Sequence, residues 1–369
     1  MQKNKRPAPR KAAPPAVDKD ELLSQELCSL ALAQDPELRY AVRRSLKQQQ
    51  DAVLYGALEL ARGEDADAYR HLKEAVEEDA GTVLLRKGED GPELEINAFA
   101  IPVFVHSQGG LRQQDCFQDP DAYTELLDSF IRGGLESPDA KLVLVQHAYD
   151  LAEAERITYG QLNAMVREAA ATLGSKKLAA APALERSIAG WQPSAFAATD
   201  EAVELRFLLG FALKHADDPF YRLPASPARQ DAWFAARLQR YRAWTESAAA
   251  MVARCLAGAR PLRLNFLYQD LFYGALQQGR REYDTLAMLA AMQQALAGSD
   301  PGAARAVITL IETDEDAALQ VQLLGPAGEL ASAARRLDVG DDVEAEIEDL
   351  QDALSTLGLS AIAVELTAP

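Results

Sequence analysis

The sequence predicts an α+β or mixed α/β protein in which mixed β-sheets are covered by helices and a helical segment comes first. Three observations predict it. Apolar residues recur at helical spacing up to about residue 78, the period shortens from Thr82, and strand-like and helix-like runs then alternate to the end of the chain. At 369 residues the chain exceeds what one hydrophobic core usually organises. Four segments are therefore expected: a disordered basic tail over 1–17, a helical segment over 18–80, a first α/β half over 81–200 and a second over 201–369.

In the helical segment, Asp20-Glu21 opens a helix through Leu22, Leu23, Leu27 and Leu30. Asp35-Pro36 reads as N-cap and first-turn proline of a second helix, whose stripe of Leu38, Val42, Leu46, Val53, Ala57 and Leu60 runs to Gly63. A third helix is predicted over 65–78. The acids Glu77-Glu78-Asp79 oppose the helix dipole at its C-terminal end, so that end is expected to fray.

From Thr82 the pattern becomes a β-hairpin. Val83-Leu84-Leu85 is followed by a Gly88 to Gly91 turn and by the long apolar run 94–105, in which Pro102 argues for a bulge or a sheet edge. Asp119-Pro120 caps a helix through Tyr123, Leu126, Phe130 and Ile131 that Gly133-Gly134 ends; a strand over 141–146 and a helix over 158–173 follow. Residues 174–200, rich in Ala, Ser and Pro, carry the boundary between the two halves.

The second half opens with Val203, Leu205, Phe207, Leu209, Phe211 and Leu213 at period two, a half-buried strand. A long helix over 227–256, a strand over 262–267 and a helix to about residue 296 come next. Runs at 305–312, 317–324 and 329–335 read as strands, 341–357 as a helix and 362–366 as a last strand. The order hairpin, helix, strand thus occurs at 82–147 and again at 305–366, a likeness of topology without a residue-level repeat.

Composition restricts the function classes. Lys and Arg number 38 and Asp and Glu 56, a net charge of −18 that repels phosphate backbones and argues against nucleic-acid or anionic-membrane partners. No uncharged run approaches the ~20 residues a membrane helix requires. Residues 1–17 carry Lys3, Lys5, Arg6, Arg10 and Lys11 with no acid, and they lack the apolar stretch of a secretory signal and the amphipathic pattern of a transit peptide. Cys28, Cys116 and Cys255 are odd in number and far apart, so neither a disulfide framework nor a zinc cage is expected, and a reducing cytoplasm is. Residues 312–349 hold 12 acids against Arg335 and Arg336, either a solvated face or a surface for a basic partner protein.

Candidate site residues come from direction. The strand over 94–105, the helix over 121–132 and the strand over 141–146 form a β-α-β unit, whose strands are expected to run parallel so that their C-terminal ends share one edge. That edge carries His106 and Ser107 on one strand and His147 and Asp150 on the other, the side on which open α/β sheets bind ligands. Tyr268-Gln269-Asp270 ends the strand over 262–267 in the same manner. Ligand-binding candidates are therefore His106, Ser107, His147, Asp150, Tyr268 and Asp270.

Each of these residues has a structural reading beside the functional one. Asp270 suits an N-cap, Asp150 a turn acid, and the histidines lack the HxH or HExxH spacing of metal ligands. Cys116 with His106 as a thiolate pair has nothing to fix its geometry, and Gly109-Gly110 matches no phosphate loop. The aromatics Trp233, Phe234, Tyr241 and Trp244 read as core. No metal and no cofactor follow from the motifs present.

The stretches VLVQHAYDL (143–151), RITYGQLN (156–163), FLLGFALK (207–214), DDPFY (217–221) and FLYQDLFYG (266–274) resemble the signature segments of a bacterial domain-of-unknown-function family found mainly in betaproteobacteria. The resemblance spans most of residues 80–366 and implies a cytoplasmic bacterial protein, without implying a reaction. Two functions are expected in order: a non-enzymatic interaction or regulatory protein with a protein partner, or a small-molecule-binding protein or enzyme using the strand-end crevice.

Overall fold

The computed structural model describes residues 18–86, 93–106, 119–174, 203–256, 262–298, 300–312, 317–359 and 361–365. The predicted tail, the hairpin turn, Ser107, Gly109-Gly110, Cys116 and nearly all of the 174–200 boundary lie outside the described residues. The fold is α+β: a block of helices, a six-stranded sheet with helices on both faces, and a four-stranded sheet.

The helical block contains α1 (Lys19–Leu32), α2 (Glu37–Lys47), α3 (Asp51–Glu64) and α4 (Ala66–Gly81). The helix expected from residue 36 to 63 is thus two helices, broken at Gln49, which takes a left-handed φ of 53°. The break resets the helical phase, so Leu58 and Ala61 are buried while Leu60 faces out. It also lets the Asp51 carboxylate reach across the fold, where it accepts bonds from Thr158 Oγ1 and the Gly160 N–H, both at 2.8 Å. The predicted fraying of α4 does not occur. Arg39 of α2 pairs with Glu78, and Arg43 grips buried Asp79 through Nε and Nη2 at 3.1 and 3.0 Å, which neutralises the acids that oppose the dipole.

The first sheet is built on β2 (Glu93–His106), which pairs antiparallel with β1 (Thr82–Arg86) as the expected hairpin and with β4 (Val203–His215) on its other side. β3 (Lys141–Asp150) pairs antiparallel with β4, giving the order β1-β2-β4-β3. Beyond β1, the same edge of β2 receives β5 (Arg263–Phe266) and β6 (Asp270–Leu271). Pro102 sits where that edge is interrupted: its carbonyl accepts from Leu267 N–H at 2.9 Å, and the N–H it lacks would have faced the gap between β5 and β6.

β4 departs from expectation twice. The alternation at period two suggested a half-buried strand, yet Phe207 and Phe211 are buried on one face, and Leu208 and Ala212 on the other. A strand apolar on both faces belongs in the middle of a sheet. So β4, the strand expected to open a second half, lies between β2 and β3 of the first. Gly210 occurs there because a Cβ would sit 2.6 Å from Leu144 Cδ2 and against the Phe99 ring.

One face of this sheet packs on the helical block and α7 (Tyr159–Gly174); the other is covered by α5 (Pro120–Arg132) and the long α8 (Pro227–Cys255), where Trp244 Nε1 donates to Ser129 Oγ at 2.8 Å. The short α6 (Leu151–Glu155) follows β3. The second sheet has the order β10-β7-β8-β9, with β7 (Arg305–Glu312), β8 (Ala317–Gly325) and β9 (Gly328–Leu337) as an antiparallel meander. After α10 (Val343–Ser355), β10 (Ala361–Glu365) returns parallel to β7. In the first sheet the strand after the helix, β3, pairs with β4 and with neither strand of its hairpin, so the shared element order produces different neighbours.

Helix α9 (Phe272–Ala295) joins the two layers. Phe272 and Ala275 belong to the core under the first sheet, whereas Met288 and Met292 belong to the core of the second. Gly210→Ala should destabilise by about 1–3 kcal/mol through overpacking between Phe99 and Leu144, measured as a lower urea midpoint with an unchanged denaturant slope.

Candidate functional site

Of the six sequence candidates, the five that lie among the described residues, His106, His147, Asp150, Tyr268 and Asp270, do not converge. β2 and β3 do run in the same direction, as the β-α-β reading requires, but the intervening β4 sets them two strand spacings apart, about 10 Å. β5 runs antiparallel to β2, which turns its C-terminal end away from His106. His106 is opposite Arg263, whereas Asp270 is opposite Ala100, six residues or about 20 Å along the same strand. A crevice formed by His106, His147 and Asp270 is therefore not assembled, because one of the three strands has the opposite sense.

His106 is bonded locally, with Nε2 3.2 Å from Asn265 Nδ2. His147 and Asp150 lie within β3, which continues through an irregularity between Leu144 and Ala148 instead of stopping at residue 146. His147 Nε2 is 3.1 Å from Glu153 Oε2, and its ring meets Tyr149 edge-on at 4.7 Å. Glu153 also closes a capping box with Asp150: the Glu153 N–H donates to Asp150 Oδ1 at 2.7 Å, and Glu153 Oε2 accepts from the Asp150 N–H at 3.2 Å. Fully buried Glu153 is thus the residue that the sequence reading missed, and Asp-Leu-Ala-Glu over 150–153 is the capping-box spacing that signals it.

Asp270 is not the expected N-cap. Leu271 occupies that position, and the Asp270 carboxylate accepts from the Leu271 N–H at 2.7 Å, lying over Gly274 where any side chain would strike it. Tyr268 stacks obliquely on Tyr241 at 4.7 Å and lines a groove beside α8. The aromatic residues of 266–273 therefore divide between opposite sides of the first sheet: Phe266 and Tyr268 face α8, whereas Phe272 and Tyr273 face the helical block.

The site with the chemistry of a binding centre lies elsewhere, in a cleft of about 270 Å³ where the helical block, α7, α9 and the second sheet meet. Its apolar wall is a run of phenols. Tyr159 packs on Tyr55 at 5.1 Å and on Tyr273 at 5.2 Å. Burial pushes the Tyr159 and Tyr273 hydroxyls far above the ordinary phenol range, so both stay protonated. The Tyr273 hydroxyl oxygen is buried without a hydrogen-bond partner, a deficit worth about 1–3 kcal/mol.

The polar wall is charged and largely paired. Lys73 Nζ stands 3.2 Å from Asp338 Oδ2 and 4.0 Å from Glu77 Oε1; burial disfavours its charge, but these carboxylates together raise its pKa. Arg280 pairs with Glu155, and Arg281 reaches Glu346 Oε1 at 2.9 Å and Asp341 at 3.7 Å. Burial pushes Glu77 up to about 7 even though Lys73 acts against it. The cleft therefore offers a carboxyl that changes charge near neutral pH beside an unpaired phenol. Several acids of the 312–349 run are used here and nearby: Asp338 on Lys73, Asp341 on Arg281, and Glu346 on Arg281 and on buried Arg335 at 2.5 Å. Among the described residues no group of three or more His, Cys, Asp or Glu is placed to hold a metal ion.

Comparison with known protein families, with curated proteins and with solved structures found no match.

Two outcomes follow from the cleft. Glu77 binds its proton more tightly in the folded chain than at its ordinary value of 4.5, so its contribution to stability is full below that pH and is lost as pH rises through about 7. Glu77→Gln should flatten the pH dependence of the melting midpoint between pH 5 and 8 and raise stability at pH 8, by up to about 3 kcal/mol. Tyr273→Phe removes an unpaired buried hydroxyl and should leave stability in chemical denaturation equal or about 1 kcal/mol higher. A stability loss of about 1 kcal/mol or more would show that the hydroxyl has a partner.

Proposed function

We propose that this protein is a non-enzymatic regulatory protein that binds a small dipolar molecule in the junction cleft. The observation that carries the reading is the lining of the cleft, which sets Lys73, Arg280 and Arg281 against Glu77, Asp338 and Asp341 beside the Tyr55 and Tyr159 rings. Both signs of charge line the cleft, so a molecule with an ammonium and a carboxylate matches it better than a singly charged one. Because the walls come from separate layers of the fold, a bound molecule ties the second sheet to the helical block.

A cytoplasmic bacterial setting belongs to the same proposal. Cys28 and Cys255 are free and buried, which suits a reducing compartment, and no helix among the described residues is long and apolar enough to cross a membrane. The net charge of −18 favours a protein partner over nucleic acid.

Free amino acids and betaines, titrated singly against the purified chain, provide the test. At least one should bind saturably, raise the melting midpoint and slow hydrogen exchange in α9 and β9. Glu77→Gln should weaken that binding about tenfold at pH 8, the loss of one charge-assisted hydrogen bond. If no dipolar molecule binds, or if exchange slows only outside α9 and β9, the cleft is not a ligand site.

A further inference from the structure

The second site is on the opposite side of the first sheet and does not depend on the junction cleft. α8 is anchored by Tyr241, Trp244, Ala248, Met251, Val252 and Cys255, and none of its residues before Tyr241 is buried. That leading half runs past the core and overhangs the connection after β5. Between them lies a groove of about 480 Å³, within the size range of small-molecule sites, with Trp233, Phe234, Leu238, Tyr241 and Tyr268 as its apolar lining. Phe234 at 54% exposure and Leu238 at 39% leave its mouth open.

Its polar group is Arg237. The guanidinium lies over the Trp233 ring at 4.7 Å and the Phe220 ring at 5.4 Å, and Nη1 is buried with no hydrogen-bond partner. Cation–π contacts hold such a group in place against the groove wall. The nearby carboxylate is already committed: Glu136 accepts from Tyr221 Oη at 2.6 Å through one oxygen and from Gln269 Nε2 at 3.1 Å through the other. Asp270 is also in the groove wall, bonded to the Leu271 N–H. A guanidinium positioned by two rings in the wall of an aromatic groove matches a flat molecule that ends in a carboxylate.

We propose that the groove between α8 and the 268–270 connection is a binding site for a small planar carboxylic acid, its ring against Trp233 and Tyr268 and its carboxylate on Arg237. The net charge of −18 repels polyanions, so a single carboxylate reaching one arginine is the class that the groove selects. An apolar peptide or a second copy of the chain would use the same rings without needing the guanidinium.

The test compares acids with their neutral amides on the intact protein. Benzoate and indole-3-carboxylate, each against its primary carboxamide, are titrated by calorimetry and by tryptophan fluorescence. Each acid should bind about tenfold more tightly than its amide, the difference a charge-assisted pair makes. Arg237→Gln should remove that difference at an unchanged melting midpoint, and Glu77→Gln should leave it intact, which separates this site from the junction cleft. Equal binding of acid and amide, no binding of either, or self-association that consumes the groove would each overturn the proposal. The comparison on the unaltered protein decides the matter even if the Arg237 variant does not fold.

Discussion

The structure depends on one helix buried in two places. α9 presents Phe272 and Ala275 to the core beneath the first sheet and, four turns later, Met288 and Met292 to the core of the second. An α-helix advances about 1.5 Å per residue, so its 24 residues span roughly 36 Å, enough to seat each end in a different core. Between these ends one side of the helix keeps packing on the first core through Gly279, and the other side turns Gln277, Arg280, Arg281 and Asp284 to the junction cleft. The cleft is thus a geometric result of bridging two sheets with one rigid rod.

That origin explains its chemistry. A surface that closes over charged residues must pair them, and the acids just after β9 do so: Asp338 and Asp341 meet Lys73 and Arg281, contributed by other layers. Where pairing is incomplete, burial shows. Glu77 is displaced toward neutrality, and Tyr273 keeps a hydroxyl without a partner. The apolar groove beside α8 arises differently, from a helix longer than the core it covers, and its unsatisfied group is a guanidinium held by rings.

The candidate residues read from the sequence illustrate what local pattern conveys. That β2 and β3 share a direction was legible, because a covering helix between two strands makes it so. The insertion of β4 between them was not, since that strand arrives from beyond a long Ala- and Pro-rich segment and its neighbours are set by which faces it buries. Asp150 and Glu153 carried a readable capping-box spacing, yet the link from Glu153 to His147 needs the irregular stretch of β3 that brings the ring over the helix start. The residues of the junction cleft had no common signal, being spread from Tyr55 to Asp341.

By itself the sequence determined the α+β character, nearly every described element, the cap at Asp119 and the hairpin partnership of β1 with β2, all of which follow from periodicities and turn residues within a few positions of one another. Only the tertiary structure decided strand order, the sense of β5 against β2, the break at Gln49 and the meeting of Tyr159, Tyr273 and Glu77. The physical reason is range. Backbone dihedrals and amphipathic stripes are set locally, whereas sheet neighbours and cleft walls are chosen by which distant apolar faces exclude water together.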